Sequence, residues 1–236
     1  MKTLNTLLLA LAVVIAAFLI GDGMRELRTA DRYVTVKGVA EREVQADLAL
    51  WPLRFVATGA TLPQAQEQAR TAQESISAFL TLQAIDISAL ELQRLDVTDS
   101  HANAYQAPNG GPRFIINQTL MVRSTDIEKV RNAAQAVGTL VDAGVVLSSD
   151  YGATGPTYLF TELNAIKPEM IAEATASARE AATQFADDAG ATLGGLRQAN
   201  QGVFQILARD QAPGVQEEQQ PVKTVRVVTT VQYFLK

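Results

Sequence analysis

Residues 48–82 read LALWPLRFVATGATLPQAQEQARTAQESISAFLTL, and the fold class follows from this stretch. Asp47 introduces an apolar strand over residues 48–58. Pro52 sits inside it. Proline donates no ladder hydrogen bond, so a bulge or a sheet edge is expected there. Thr61-Leu62-Pro63-Gln64 then reads as a capping box with proline near the first turn of a helix. That helix places Ala65, Ala69, Ile76 and Phe79 on one face, with Ala72 between them, at helical spacing. A strand that runs straight into an amphipathic helix belongs to a layered structure of sheet and helix.

The same alternation continues outward. Upstream, residues 33–46 alternate in polarity as a strand. Downstream, residues 90–98 and 114–123 read as a hairpin whose long polar tip, residues 99–112, ends in Asn109-Gly110-Gly111-Pro112. Residues 125–128 suggest a second capping box, followed by an apolar stripe of Ile127, Val130, Ala134, Val137 and Val141. Short strands are expected at 145–147 and 158–160, around a glycine-rich loop at 151–156. A long helix is predicted over residues 168–189, with Ile171, Ala174, Ala178, Ala181 and Phe185 inward and Gly190 as its C-terminal cap. Alanines on that face let a helix lie close to a sheet. Residues 196–208 and 223–235 read as strands joined by a polar loop at 210–221. The expected class is α/β (α+β): mixed β-sheets packed by long amphipathic helices, after an N-terminal apolar helix. No repeat is strong enough to assert duplication of the two halves.

The N-terminus carries Lys2, an apolar run over residues 4–20, and then Gly21-Asp22-Gly23. A short basic region before an apolar run is the pattern of a secretory signal. The run stands at the lower limit for a spanning helix. An uncleaved anchor is favoured and a cleaved signal peptide is the alternative. The charge distribution places the remainder outside the cytoplasm. The expected organisation is a signal anchor or signal peptide over 1–23, a linker over 24–32, and an α/β domain over 33–236.

Composition narrows the chemistry. The 236 residues are 47% apolar, carry a formal charge of −5 and include no cysteine. Thiolate nucleophiles, disulfides, Fe–S clusters and cysteine zinc sites are excluded. Lysine and arginine are scattered, which argues against a nucleic-acid partner. The one histidine, His101, lies in the polar loop near Asp96 and Asp99 and reads as an exposed loop residue rather than a metal ligand or triad member. Gly190, Gly194 and Gly195 match no phosphate-binding loop and read as a helix cap and a turn. Asn117-Gln118-Thr119 matches a glycosylation sequon inside a predicted strand. Asp187 and Asp188 diverge on a helix, and Glu217 and Glu218 fall in a solvated loop, so neither pair resembles a general acid–base couple. Trp51, Phe55, Phe79 and Phe185 read as packing residues. No catalytic, cofactor-binding or metal-binding residue is assigned.

Three stretches resemble the SIMPL-domain family, which includes YggE-like oxidative stress defence proteins and periplasmic immunogenic proteins. They are Val34-x-Val36-x-Gly38 leading through Glu43-Val44 and Ala46-Asp47; the helix holding Ala178-Arg179-Glu180-Ala181-Ala182 and Phe185-Ala186, closing in Gly190-x-x-Leu193-Gly194; and Val225-x-Val227-x-Thr229-x-Val231. The family often has Pro-Asp where this chain has Ala46-Asp47, and Trp51-Pro52 is unusual. The resemblance implies an exported, often periplasmic protein linked to envelope or oxidative stress, able to form homo-oligomers, with no established catalytic residues and no cofactor. The leading expectation is a non-enzymatic cell-envelope protein, held to the inner membrane by its N-terminal helix or free in the periplasm. A small-ligand or peptide binder and an uncharacterised hydrolase are the alternatives.

Overall fold

The computed structural model describes residues 14–18, 32–102, 111–148 and 155–236. The expected N-terminal apolar helix lies largely outside the described residues; of it, residues 14–18 are helical and exposed. No helix among the described residues is long and apolar enough to cross a membrane. The chain divides into two compact units. A central unit comprises residues 43–163 and 206–224, and a terminal unit comprises residues 1–42, 164–205 and 225–236.

The central unit is built on β2 (Leu48–Gly59), β3 (Leu90–Asp99), β4 (Phe114–Ser124), β5 (Val146–Leu147) and β6 (Thr157–Leu159). The strand order is β3-β4-β2-β5, with β6 also paired to β2. Strand alternation puts Trp51, Leu53, Phe55 and Ala57 on one face, all buried. Helix α1 (Leu62–Leu82) covers that face through Ala65, Ala69, Ile76, Phe79 and Leu80. Trp51 meets Phe79 edge-to-face at 6.4 Å and 70°. Each fully buried large apolar side chain contributes about 1.5–3 kcal/mol. The expected capping box is present: Thr61 accepts from the Gln64 N–H, and the Gln64 side chain accepts from the Thr61 N–H.

Pro52 makes no bulge. The β2–β4 register runs unbroken from Ala49↔Ser124 to Gly59↔Phe114. The gap lies on the other side of β2, where β6 pairs residues 48–50 and β5 pairs residues 55–56. The Ser148 N–H donates to the Arg54 carbonyl at 2.9 Å, so Arg54 points its backbone polar groups toward β5. Alternate residues point theirs alike. The nitrogen of Pro52 therefore faces the side of β2 between the two short strands, where no described residue is paired with it.

Three further sequence readings shift. The second helix is capped by Asp126, which accepts from the Lys129 N–H at 3.1 Å, one residue beyond the expected Thr125. The expected single stripe is two helices, α2 (Ile127–Gln135) and α3 (Gly138–Asp142). Within α2 the buried residues are Ile127, Val130 and Ala133, with Ala134 only partly buried; the break at Ala136 and Val137 then resets the helical phase, so Leu140 is buried and Val141 is exposed. The long helix α4 (Leu163–Asp188) starts ahead of Pro168, which lies inside it.

In the terminal unit, α4 accompanies a sheet with strand order β1-β9-β7, where β1 is Tyr33–Gln45, β7 Leu193–Gln201 and β9 Val222–Leu235. β8 (Gln205–Ala208) pairs with β9 across the 210–221 loop. The buried face of α4 is Met170, Ala174, Ala178, Ala182 and Ala186, each four residues on. Val36, Val231 and Tyr233 complete its core. Ala174 and Ala178 face inward as expected, but Met170, Ala182 and Ala186 take the places expected for Ile171, Ala181 and Phe185, and Phe185 is 59% exposed. The buried stripe runs every four residues through Ala182 and Ala186, which leaves Phe185 off the inner face. Gly38 approaches that face closely: a Cβ there would sit 1.8 Å from the Ala174 carbonyl oxygen and 2.5 Å from the Ala178 nitrogen. Gly190 caps α4 with φ +62° as expected, whereas Gly194 and Gly195 lie inside β7 rather than in a turn.

Candidate functional site

The face of the central sheet opposite α1 carries a polar groove. Register sets its composition. Arg54, Thr119 and Arg94 stand side by side on β2, β4 and β3, and Val56, Asn117 and Asp96 form the next row. These positions alternate with the buried ones, so they project from the other face. Gln93 is the extra residue at a β3 bulge between Leu92 and Arg94. The groove encloses about 550 Å³, within the range of small-ligand sites. Thr119 at its floor is buried, and Arg94 is paired with Asp96. Two guanidinium groups, side-chain amides and hydroxyls make the groove rich in donors, suited to a carboxylate or a hydroxylated ligand.

At the end of the β3–β4 hairpin, Arg113 grips Asp99 with Nη2 to Oδ2 at 2.9 Å and Nε to Oδ1 at 3.1 Å. The Arg113 guanidinium holds the Asp99 carboxyl below the usual aspartate range. The backbone N–H of His101 donates to Asp99 Oδ1 at 3.0 Å, and the residue is exposed in the turn after β3. Among the described residues, no group of three or more histidine, aspartate or glutamate side chains is placed to hold a metal ion.

Two polar centres escaped the sequence reading. Asp47, in the β1–β2 turn, accepts from the Thr161 N–H at 2.9 Å, the Thr161 hydroxyl at 2.9 Å and the Glu162 N–H at 3.0 Å. It thus fixes the chain just ahead of α4 and explains why that helix begins before Pro168. Lys223 is fully buried and donates from Nζ to the Glu217 carbonyl at 2.8 Å and to the Glu217 carboxylate. Glu217 is therefore tied to a core cation rather than merely solvated. The signal was in β9: Lys223 is in phase with Val225, Val227, Thr229, Val231 and Tyr233, the inward positions. Asp188 accepts from Gln184 Nε2 at 2.9 Å on the helix surface. Trp51, Phe55 and Phe79 are core residues as read, and Phe185 is not.

The edge of the same sheet is unusual. Leu92, Leu95 and Val97 of β3 lie on the α1 side by register, yet they are 55%, 51% and 51% exposed. α1 packs on β2 and β4, and the outermost strand extends beyond its cover.

The family model described as SIMPL, protein of unknown function (DUF541), matches residues 34–233. The chain belongs to the SIMPL family. The match takes in both units, from β1 to β9. No curated protein matches the chain. The three stretches that carry the resemblance in sequence are, in this SIMPL protein, the strand that meets α4 at Gly38, the alanine face of α4, and the inward face of β9. They are packing motifs.

Proposed function

We propose that this SIMPL protein is a non-enzymatic, periplasm-facing protein of the cell envelope that works as a homo-oligomer, in envelope or oxidative stress defence. The observation that carries the assembly is the edge strand β3, with three large apolar side chains exposed in a row. Exposed apolar edges in native proteins are covered or paired. The envelope location rests on the basic and apolar pattern of residues 1–20. The stress role rests on the family resemblance. The non-enzymatic reading rests on the sequence, which holds no cysteine, a single histidine in a polar loop and no recognisable catalytic motif. The test is light scattering on full-length protein extracted in detergent from the envelope fraction. A defined oligomer is expected. A single-copy particle, or native protein found only in the cytoplasm, overturns the reading.

The groove favours a second reading, a binder of small acidic or hydroxylated molecules through Arg54, Arg94 and Asn117. Dicarboxylates and acidic sugars would then raise the melting temperature of the wild type but not of Arg54→Ala. Equal curves with and without millimolar ligand dismiss it.

A further inference from the structure

We propose that β3 pairs with β3 of a second copy, antiparallel and centred on Leu95, so that the two central sheets join edge to edge. This deepens the assembly reading above and rests on it. Among the described residues, β3 ends the sheet on one side, bonded to β4 alone. Its free edge therefore offers backbone donors and acceptors to a strand laid beside it.

The register follows from side chains. Residues opposite each other in an antiparallel pair project to the same face. A two-fold axis through the new ladder must therefore pass through a residue, so that apolar positions meet apolar positions. Centring on Asp96 sets Asp96 against its own copy, and centring on Arg94 sets arginine against arginine. Centring on Val97 sets Leu95 against Asp99. Centring on Leu95 sets Leu95 against Leu95 and, on the groove face, Arg94 of each copy against Asp96 of the other. Opposite charges then meet twice. The Arg94–Asp96 pair within one strand becomes two pairs across strands. On the α1 side, the exposed Leu92, Leu95 and Val97 of both copies close into one apolar stripe. The bulge at Gln93 ends the regular ladder and limits it to a few residues about the axis.

The self-complementary charges supply the test. Arg94→Asp gives two aspartate–aspartate oppositions in a like pair, and Asp96→Arg gives two arginine–arginine oppositions. Each variant of the full-length protein in detergent should lose at least tenfold in association by analytical ultracentrifugation, because both cross-strand pairs change sign. An equimolar mixture of the two variants restores opposite charges at both positions and should recover wild-type association. The doubly exchanged variant carrying Arg94→Asp and Asp96→Arg should recover it alone. Circular dichroism should show all variants folded, since the altered charges are exposed. A single-copy wild type overturns the pairing together with the assembly reading. An oligomeric wild type whose size and affinity are untouched by either variant overturns the pairing and leaves the assembly reading standing. Weakening by each variant without recovery in the mixture overturns the Leu95-centred register.

Discussion

Replacing Gly38 by alanine probes the tightest contact in the terminal unit. The added Cβ would fall 1.8 Å from the Ala174 carbonyl oxygen, 2.5 Å from the Ala178 nitrogen and 2.9 Å from the Ala178 Cβ. A carbon rests at about 3.3–3.6 Å from a carbonyl oxygen, so α4 would have to retreat by about 1.5 Å. Two of the three obstructing atoms are backbone, and no rotamer change relieves them. A retreat of even 0.5–1 Å forfeits about a quarter to a half of each dispersion contact, and α4 makes such contacts through Ala174, Ala178, Ala182 and Ala186. Overpacking ordinarily costs about 1–3 kcal/mol, and the backbone clash puts Gly38→Ala at about 3 kcal/mol or more. For a chain of this size that lowers the melting temperature by about 6–12 °C. Urea titration and thermal melts measure it. Gly195→Ala, where no described residue lies within 4 Å of the new Cβ, is the control and should fall within about 0.5 kcal/mol of wild type. Adding Ala178→Gly to Gly38→Ala removes one obstructing atom and leaves the backbone, so it should not rescue. A Gly38→Ala protein as stable as wild type would refute the close seating of α4.

Removing Glu217 strands a buried cation, so Glu217→Ala should cost about 3 kcal/mol in urea titration, and Lys223→Met added to it should recover most of that loss. A Glu217→Ala midpoint equal to wild type would contradict the buried pair. Asp47→Ala removes acceptors from two backbone N–H groups and a hydroxyl and should cost about 2 kcal/mol. Its faster amide exchange should concentrate at Thr161 and Glu162, and uniform exchange would contradict the clamp. Asp86, Asp99, Asp126, Glu67 and Glu169 have carboxyl pKa values below the ordinary 3.8 and 4.5 in the folded chain. Their contributions are complete above those ordinary values and disappear as pH falls through the lower folded ones. The melting temperature should hold level from about pH 5 to 8 and drop below about pH 4; a rise on acidification would contradict these pairings.

The elements that the sequence revealed are those whose cause is local. β2 and α1 follow from alternation, a capping box and a helical stripe, and all three are properties of neighbouring residues. The errors fell where distant residues decide. α4 begins early because Asp47, on another element, satisfies the N–H groups ahead of it. Phe185 lies outward because the inner stripe of α4 runs through Ala182 and Ala186 rather than Ala181 and Phe185, and in an alanine-rich helix the neighbouring residues leave that phase open. The phase of α2 and α3 was lost at a short break that leaves the hydrophobic count unchanged. Of the groove, Asp96 and Asn117 were noticed for other reasons. Arg54, Arg94 and Thr119 converge only through strand register, which short-range patterning does not encode. Lys223 was the exception: its phase on β9 was visible in the alternation of residues 223–235, but it was not singled out.

The order β1-β9-β7 has a kinetic consequence. β1 is the first numbered element and β9 the last, so every other numbered element lies between two strands that must become neighbours. Closing that ladder requires the largest loop the fold contains, and its entropic cost comes before any reward in contacts. β1 cannot complete its sheet while the chain is still emerging, whether from a ribosome or through a membrane pore. The terminal unit therefore matures last and slowly, and until then β1 presents an unsatisfied edge that a chaperone or a neighbouring chain can occupy.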